Sequence, residues 1–172
     1  MAFVAALASV TDIRSFIDDY FRAWEGSDEN RILSYYADDV SLAIPGMLME
    51  GKVALRDQFV RPFIAAFPGN RHVIKNMIFG KNVVAVEWSF EADHSGPFVG
   101  RAATGVTVKV PGIGVYEFDP VNRQITAARI YFELATLLRQ ISSHQPQVLQ
   151  DLLMSWFATR TMSDSRRVSA SL

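Results

Sequence analysis

A long run of strand-like sequence follows a helical first third, and this order most constrains the fold. Apolar residues recur at helical spacing over Ile13–Trp24 and again over Val53–Phe67, where Pro62 is expected to kink or divide the helix. From Pro68-Gly69 to Phe132 the pattern is nearly all β, rich in valine and aromatic residues. Helices followed by a run of strands favour an α+β fold over a doubly wound sheet. We therefore expect a curved antiparallel sheet that forms a cone, with the N-terminal helices packed on it and a small-molecule pocket at its open end.

Turn-forming residues divide the β region into segments. A first strand is expected earlier, over Asp39–Ile44, where Pro45-Gly46 stops it. The Pro111–Gly114 stretch predicts a bulge or bend, and it is not a dinucleotide-binding fingerprint because it does not lead from a strand into a helix. The remaining predicted strands are Arg71–Phe79, Val83–His94, Thr104–Val110, Val115–Phe118 and Gln124–Phe132.

Composition narrows the class of protein. The chain has 172 residues, 49% of them hydrophobic, so one globular domain with a substantial core is expected. Its formal net charge of −1 does not point to nucleic acid or to an anionic membrane surface. The absence of cysteine excludes disulfides, thiolate nucleophiles and cysteine-ligated metals. No apolar run is long enough to suggest a membrane span, and the start of the chain lacks the positive charge of a signal peptide, so a cytoplasmic location is the default.

The chain is expected to divide into three parts. Residues 1–143 are assigned to the α+β cone domain. An extra amphipathic helix is predicted at 144–160, after the break at Pro146, and a serine- and arginine-rich tail at 161–172 is expected to be disordered.

The segment Ala127–Ile141 changes its period at Phe132–Glu133, from the alternation of a strand to the spacing of a helix. Alternation predicts that Ile125, Ala127, Arg129, Tyr131 and Glu133 share one face of the last strand. Glu133 is the only acid in this apolar neighbourhood, and burial among apolar groups would raise its pKa towards that of a useful base. The plainer interpretation is that Glu133 lies near the N-terminus of the closing helix, where acidic residues are favoured.

Several phrases, taken in order, resemble the SnoaL-like polyketide cyclases of the nuclear transport factor 2-like (cystatin-like α+β) superfamily. The resemblance spans about Asp12 to Ile141. The phrases that carry it are Tyr35-Tyr-Ala-Asp-Asp-Val40, Met49-Glu-Gly51, Ala66-Phe-Pro68, Val86-Glu-Trp88, His94-Ser-Gly-Pro-Phe-Val-Gly100, Ala103-Thr-Gly105 and Tyr131-Phe-Glu-Leu134 followed by Leu137-Leu-Arg-Gln140.

This resemblance implies a chemistry that uses neither metal nor cofactor. SnoaL-like cyclases close a polyketide ring by intramolecular aldol condensation, with a carboxylate at the end of the last strand as general acid/base. Glu133 stands at that position here, where the family typically has Asp. His94 matches the His of the family's His-x-Gly phrase and would assist catalysis, although a lone histidine on an inward face is more often a core residue.

Three further residues are candidates for binding the substrate. Trp88 and Tyr131 would line the cavity with flat aromatic walls, or serve simply as core residues. Arg129 would share a face with Glu133 and could pair with it, which would lower the pKa of that carboxyl. No histidine or acidic cluster has the spacing of metal ligands, so no metal site is expected.

Two functions remain open from the sequence. The first is a cofactor-free cyclase, isomerase or, less favoured, hydrolase that acts on a small apolar carbonyl compound. The second is a non-catalytic, ligand-binding or structural member of the superfamily, for which an outward-facing Glu133 would be supporting evidence. In either case the resemblance implies a homodimer formed through the sheet.

Overall fold

The computed structural model describes residues 10–142, and it has the expected α+β architecture. The helices are α1 (Val10–Glu25), α2 (Glu29–Ser34), α3 (Lys52–Leu55), α4 (Arg61–Ala66) and α5 (Leu134–Ile141). The strands are β1 (Tyr36–Ile44), β2 (Met47–Glu50), β3 (Arg71–Gly80), β4 (Val83–Asp93), β5 (Thr107–Asp119) and β6 (Gln124–Phe132).

The six strands form one curved sheet in the order β2-β1-β6-β5-β4-β3. The pairing of β1 with β6 is parallel, and the other four pairings are antiparallel. One cluster of buried apolar residues fills the concave side, built from the inward side chains of the strands together with α1, α4 and α5. On β4 every second residue from Val84 to Ala92 is buried, as is His94 directly after the strand, and Ser89 is buried between them.

Pro62 is accommodated by a change of helical pitch. A π-helical turn, Arg56–Val60, joins α3 to α4, and the Arg61 N–H donates to the carbonyl of Arg56, five residues earlier. Proline has no N–H to donate, so the α-helical series of hydrogen bonds cannot continue through Pro62. The π-helical turn before it, with a hydrogen bond to the carbonyl five residues earlier, accommodates this break. The helix is therefore altered near its middle without being interrupted.

The structure departs from the strand predictions in two places. Pro45-Gly46 ends β1 as predicted, but it also forms the turn to β2, a strand that the sequence analysis does not predict because its four residues are too few to show an alternating pattern. Gly46 adopts φ +83°, which glycine accepts without strain. β5 is one continuous strand where a break was expected, since every residue from Thr107 to Glu117 is paired with β4.

Gly112 and Gly114 give β5 space for two aromatic rings. A Cβ atom at Gly112 would lie 2.5 Å from Cζ3 of Trp88, and one at Gly114 would lie 2.6 Å from Cε2 of Tyr116. The glycines in the Pro111–Gly114 stretch therefore reflect close approach of a ring from β4 at Gly112 and of a ring from β5 itself at Gly114, and not a bulge.

The outer ends of the chain lie outside the described residues. These are residues 1–9, the whole of the predicted helix at 144–160 and the whole tail at 161–172, so the division into three parts stays a prediction. None of the described helices has the length and hydropathy that a bilayer crossing requires. The cytoplasmic location also stays a prediction.

Candidate functional site

A narrow cavity opens inside the cone between α1, α4 and the sheet. The cavity has about 500 Å³ of empty space if the open solvent at its mouth is counted. Only about 40 Å³ of this space can hold the centre of a water molecule. Its walls are almost wholly aromatic and aliphatic, and consist of Tyr20, Phe21, Trp24, Phe59, Phe63, His72, Trp88, Phe90, Val110, Tyr116, Ile130, Phe132 and Leu137. A flat, apolar, ring-containing molecule is the kind of ligand that such walls favour.

His72 is the most unusual of these residues. It lies opposite Phe90 in the register of β3 and β4, and its ring packs 4.9 Å from Phe21, 5.1 Å from Trp88 and 5.3 Å from Phe90, measured between centroids. Its Nδ1 atom is buried and has no hydrogen-bond partner among the described residues. Burial lowers the pKa of His72 to about 3, so the imidazole is neutral at physiological pH.

Trp88 presents a second buried polar atom without a partner. The residue is 5% exposed, and its Nε1–H has no partner of hydrogen-bonding geometry within the described residues. Its interaction with the Tyr116 hydroxyl lowers the pKa of that group, but by less than burial raises it. An indole N–H can only donate, and an unmade hydrogen bond in an apolar interior costs free energy. Trp88 thus lines the cavity, as the sequence predicts, and brings an unused donor to it.

Buried tyrosines add hydroxyl groups beside the cavity. The hydroxyls of Tyr20 and Tyr36 share a hydrogen bond of 2.6 Å, and the ring of Tyr116 packs 5.6 Å from that of Tyr20. Burial raises the pKa of Tyr20 to about 12 and those of Tyr36 and Tyr116 well above their usual value. All three therefore keep their protons at neutral pH, and one proton of the Tyr20–Tyr36 pair is used in the hydrogen bond that they share.

An apolar mouth adjoins the cavity, with which it shares the side chains of Phe59, Phe63 and Phe132. The space at this mouth that can hold the centre of a water molecule has a volume of about 300 Å³. Met47, Val99 and Leu134 line this mouth and are exposed. A ligand can therefore enter the cone between the β1–β2 turn and the start of α5.

Glu133 lies at the rim of this mouth but turns outward. It is exposed, and its Oε2 atom accepts a hydrogen bond of 2.7 Å from the Thr136 hydroxyl. It occupies the N-cap position of α5 without capping a backbone N–H through its side chain. This agrees with the plainer sequence interpretation, an acid at a helix N-terminus. The role of Glu133 as general acid/base stays a prediction.

The predicted grouping on β6 holds from Ala127 to Tyr131, which share the outer face, but it does not include Ile125. The β5–β6 register shifts between Glu117 and Phe118, so Ile125 faces inward together with Ala128 and Ile130 instead of with Ala127. As a result Tyr131 is 52% exposed and does not line the cavity. One irregular residue in the pairing moves all the side chains beyond it to the opposite face of the sheet.

Arg129 also has a different partner from the one expected. It donates through Nη2 to Oε1 of Glu117 at 2.7 Å, across the β5–β6 pairing, and not to Glu133. Both side chains are more than 40% exposed, so this pair contributes little to stability.

His94 is a buried structural residue in this arrangement. It is fully buried, its Nδ1 lies 3.0 Å from the Thr104 hydroxyl, and its ring packs 5.4 Å from that of Phe67. Its backbone carbonyl accepts from the N–H groups of Thr104 and Gly105, which fixes the loop after β4. Burial lowers the pKa of His94. Its side chain is not part of the cavity wall, and its assisting role in catalysis stays a prediction.

With this geometry in view, comparison with known proteins decides the family. A model of the SnoaL-like domain matches residues 17–128. The chain belongs to the SnoaL-like domain family. The match runs from the middle of α1 to the middle of β6 and includes the residues that line the cavity except Ile130, Phe132 and Leu137.

Solved structures share the fold of this SnoaL-like protein at low sequence identity. A candidate SnoaL-like polyketide cyclase from Jannaschia sp. CCS1 is 18% identical over 80% of this chain and 98% of its own, with a TM-score of 0.69. AclR, a candidate hydroxylase from Streptomyces galilaeus, is 16% identical over 92% of this chain and 98% of its own, with a TM-score of 0.70. A protein with a ketosteroid isomerase-like fold from Catenulispora acidiphila, solved with trimethylamine, is 17% identical over 74% and 92%, with a TM-score of 0.61. No curated protein matches in sequence.

These SnoaL-like relatives carry different reaction names, so the fold alone does not select the reaction. The decision rests on the residues that face the cavity. Within residues 10–142, no group of three histidine, aspartate or glutamate side chains is placed to hold a metal ion.

Sequence reasoning missed His72, Tyr20 and Tyr116 as cavity residues of this SnoaL-like domain. His72 has no partner at ligand spacing along the chain, and Tyr20 reads as one residue of an ordinary apolar helix stripe. The available signal was the alternation of side chains along the strands. Phe90 and Trp88 face the same way on β4, so a histidine that pairs with Phe90 must also face inward. That inference needs the strand register, which one sequence does not supply.

Proposed function

We propose that this protein binds a small, largely apolar carbonyl compound in the cone cavity and promotes proton transfer on it without a cofactor, as an aldol cyclase or isomerase of the SnoaL-like type. The observation that carries the proposal is an aromatic cavity into which the buried indole N–H of Trp88 and the buried Nδ1 atom of the half-buried His72 bring polar groups without partners among the described residues. A ligand that satisfies those atoms gains hydrogen bonds that the protein alone does not make.

The donors suit the stabilisation of an enolate. Removal of a proton next to a carbonyl places negative charge on the carbonyl oxygen, and preorganised donors in a dry site stabilise such charge. Trp88 offers its N–H, while Tyr20 and Tyr116 keep their hydroxyl protons. The neutral imidazole of His72 is a weak base because its pKa is so low.

Glu133 is the carboxylate proposed as the base. It lies between Phe132 and Leu134, both of which line the mouth, so it is next to the path by which a ligand enters. To reach a ligand, its side chain must leave Thr136 and rotate inward. Rotation of one exposed side chain is a small change compared with the rearrangement of packed core residues.

A second candidate function is ligand binding without catalysis. It is favoured by the absence of Asp and Glu from the described residues that line the cavity, and by the outward orientation of Glu133. The two functions share the binding step and differ only in proton transfer.

Hydrogen–deuterium exchange of a simple ketone separates the two functions. We expect the protein to bind 2-tetralone, detected by calorimetry, and to speed exchange of its α-protons in D₂O, followed by NMR. Glu133→Gln should remove most of the acceleration while binding persists. Glu87→Gln, which changes an exposed glutamate on β4, serves as the matched control and should exchange like the unmodified protein.

Each result of this experiment leads to a different conclusion. Acceleration that survives Glu133→Gln would exclude Glu133 as the base. Binding without acceleration would support the non-catalytic function. Absence of binding would overturn the proposal.

We further propose that the protein forms a homodimer through the outer face of the sheet. Ile113 and Tyr131 are directly paired across β5 and β6 and are 39% and 52% exposed, which places two large apolar side chains together on that face. Light scattering should give a dimer mass for the unmodified protein and a monomer mass for the Ile113→Lys, Tyr131→Lys variant. A monomer in both cases would contradict this assembly.

A further inference from the structure

Trp88 and His72 form a polar pair inside the apolar cavity. Their rings meet edge to face at a centroid distance of 5.1 Å, with an interplanar angle of 80°. Both Nε1 of Trp88 and Nδ1 of His72 are buried and lack a partner among the described residues, and both side chains line the cavity. Trp24, which lines the same cavity, has no such unpartnered buried nitrogen.

Charged groups are poor occupants of this cavity. Its described walls include no Asp, Glu, Lys or Arg that could pair with an anion or a cation. A carboxylate or an ammonium would lose its hydration without gaining a counter-charge, which is costly in an apolar interior. The polar part of a ligand held there must therefore be uncharged.

The two nitrogens have complementary hydrogen-bonding capacities. The Trp88 N–H can only donate. Burial lowers the pKa of His72 to about 3, so the ring is neutral, and in its Nε2–H tautomer the unpartnered Nδ1 atom carries the lone pair and can accept. A hydroxyl group both accepts and donates, whereas a carbonyl oxygen only accepts.

We infer that the cavity selects an uncharged ring compound that carries a hydroxyl group, phenolic or enolic, which accepts from Trp88 Nε1–H and donates to the His72 imidazole. This inference rests on the proposed function insofar as both use the same cavity. It deepens that function because the enol form of a carbonyl compound carries such a hydroxyl, while the keto form leaves the His72 lone pair unused. Trp88 and His72 thereby become the residues that determine specificity.

Three small probes of one size test the inference by calorimetry: p-cresol, toluene and p-toluate. We expect p-cresol to bind about tenfold or more tightly than toluene, because it adds two hydrogen bonds to the same ring contacts. We expect p-toluate to bind more weakly than either. The preference for p-cresol over toluene should largely disappear in Trp88→Phe and in His72→Phe, each of which keeps an aromatic ring.

Trp24→Phe is the matched control, since it removes an indole from the same cavity without removing an unpartnered buried N–H. It should change the affinities for p-cresol and toluene by similar factors and so preserve their ratio. Circular dichroism establishes that each variant is folded. If His72→Phe fails to fold, Trp88→Phe alone decides the question.

The outcomes separate this inference from the proposed function. Equal affinities for p-cresol and toluene would overturn the hydroxyl selectivity while leaving ligand binding in the cavity intact. Tighter binding of p-toluate would also overturn it, since it would reveal an anion site. If none of the three probes bound, both the inference and the proposed binding function would be overturned.

Discussion

Gly112 lies directly beneath the indole ring of Trp88, in register with it across the β4–β5 pairing. The missing side chain on one strand makes the space that the large side chain on the next strand occupies. This pair sets the depth at which Trp88 enters the cavity.

Gly112→Ala should destabilise the protein and disturb the cavity. The added Cβ atom would overlap the indole, so the ring or the strand must shift, and overpacking of this kind costs about 1–3 kcal/mol. Urea unfolding measures the loss of stability, and tryptophan fluorescence reports on the ring. Gly26→Ala is the control, because its Cβ would meet nothing closer than 3.6 Å, and we expect it to change stability by less than about 0.5 kcal/mol. Equal effects of the two substitutions would show that Gly112 does not set the position of Trp88.

Asn70→Ala should weaken the junction between α1 and the end of α4. Asn70 is fully buried, and its Nδ2 donates to the carbonyls of Trp24 at 3.2 Å and Phe67 at 3.1 Å. The Trp24 carbonyl keeps the N–H of Ser27 as a donor, whereas the Phe67 carbonyl loses the donor that Asn70 supplies. We expect a cost of about 1–3 kcal/mol in the free energy of unfolding. Asn30→Ala, at an exposed position of α2, should change this free energy much less. An Asn70 variant as stable as the unmodified protein would contradict the assigned contacts.

Arg129→Gln should have little effect on either stability or proton exchange. Its partner is Glu117, and both side chains are well exposed, so loss of the pair should cost less than about 1 kcal/mol. Because Arg129 does not contact Glu133, the exchange rate of 2-tetralone should stay at the unmodified level. A marked change in that rate would instead support the Arg129–Glu133 pairing suggested by strand alternation.

Stability should fall on acidification below about pH 6.5 in a way that depends on His72. Burial lowers the pKa of His72 in the folded protein to about 3, against 6.5 for the exposed group. Between these values the unfolded chain binds a proton that the folded protein does not, so acid favours unfolding, by up to about 1.4 kcal/mol per pH unit. Urea unfolding from pH 7 to pH 5 should show a shallower pH dependence for His72→Phe than for the unmodified protein. Parallel curves would indicate that His72 titrates normally.

The sequence predicts the fold well because the spacing of apolar residues along each helix and strand can be read from a single sequence. The helix stripe from Ile13 to Trp24 and the bounds of β6 agree with the structure, and Trp88 does line the cavity. These predictions need only local spacing and the alternation of one strand.

The candidate site is predicted less well because it depends on register. Tyr131 faces outward although Ile125 faces inward, because the β5–β6 register shifts between Glu117 and Phe118. No pattern within β6 predicts this shift. His72 becomes notable only when it is placed opposite Phe90. The partner of Arg129 likewise comes from the neighbouring strand, so neither side chain could be assigned from spacing along its own strand.

The parallel pairing of β1 with β6 has a consequence for how the chain assembles. Ser41 of β1 pairs with Ala127 of β6, so β1 can join the sheet only after β6 has formed. Such distant pairing carries a large loop-closure cost and slows the search for the native state. During synthesis β3, β4 and β5 can pair as soon as they emerge, whereas β1 and β2 remain an open hairpin until β6 arrives. We therefore expect insertion of β6 to limit the refolding rate, and a nascent chain that ends before Gln124 to expose the β1 edge to aggregation.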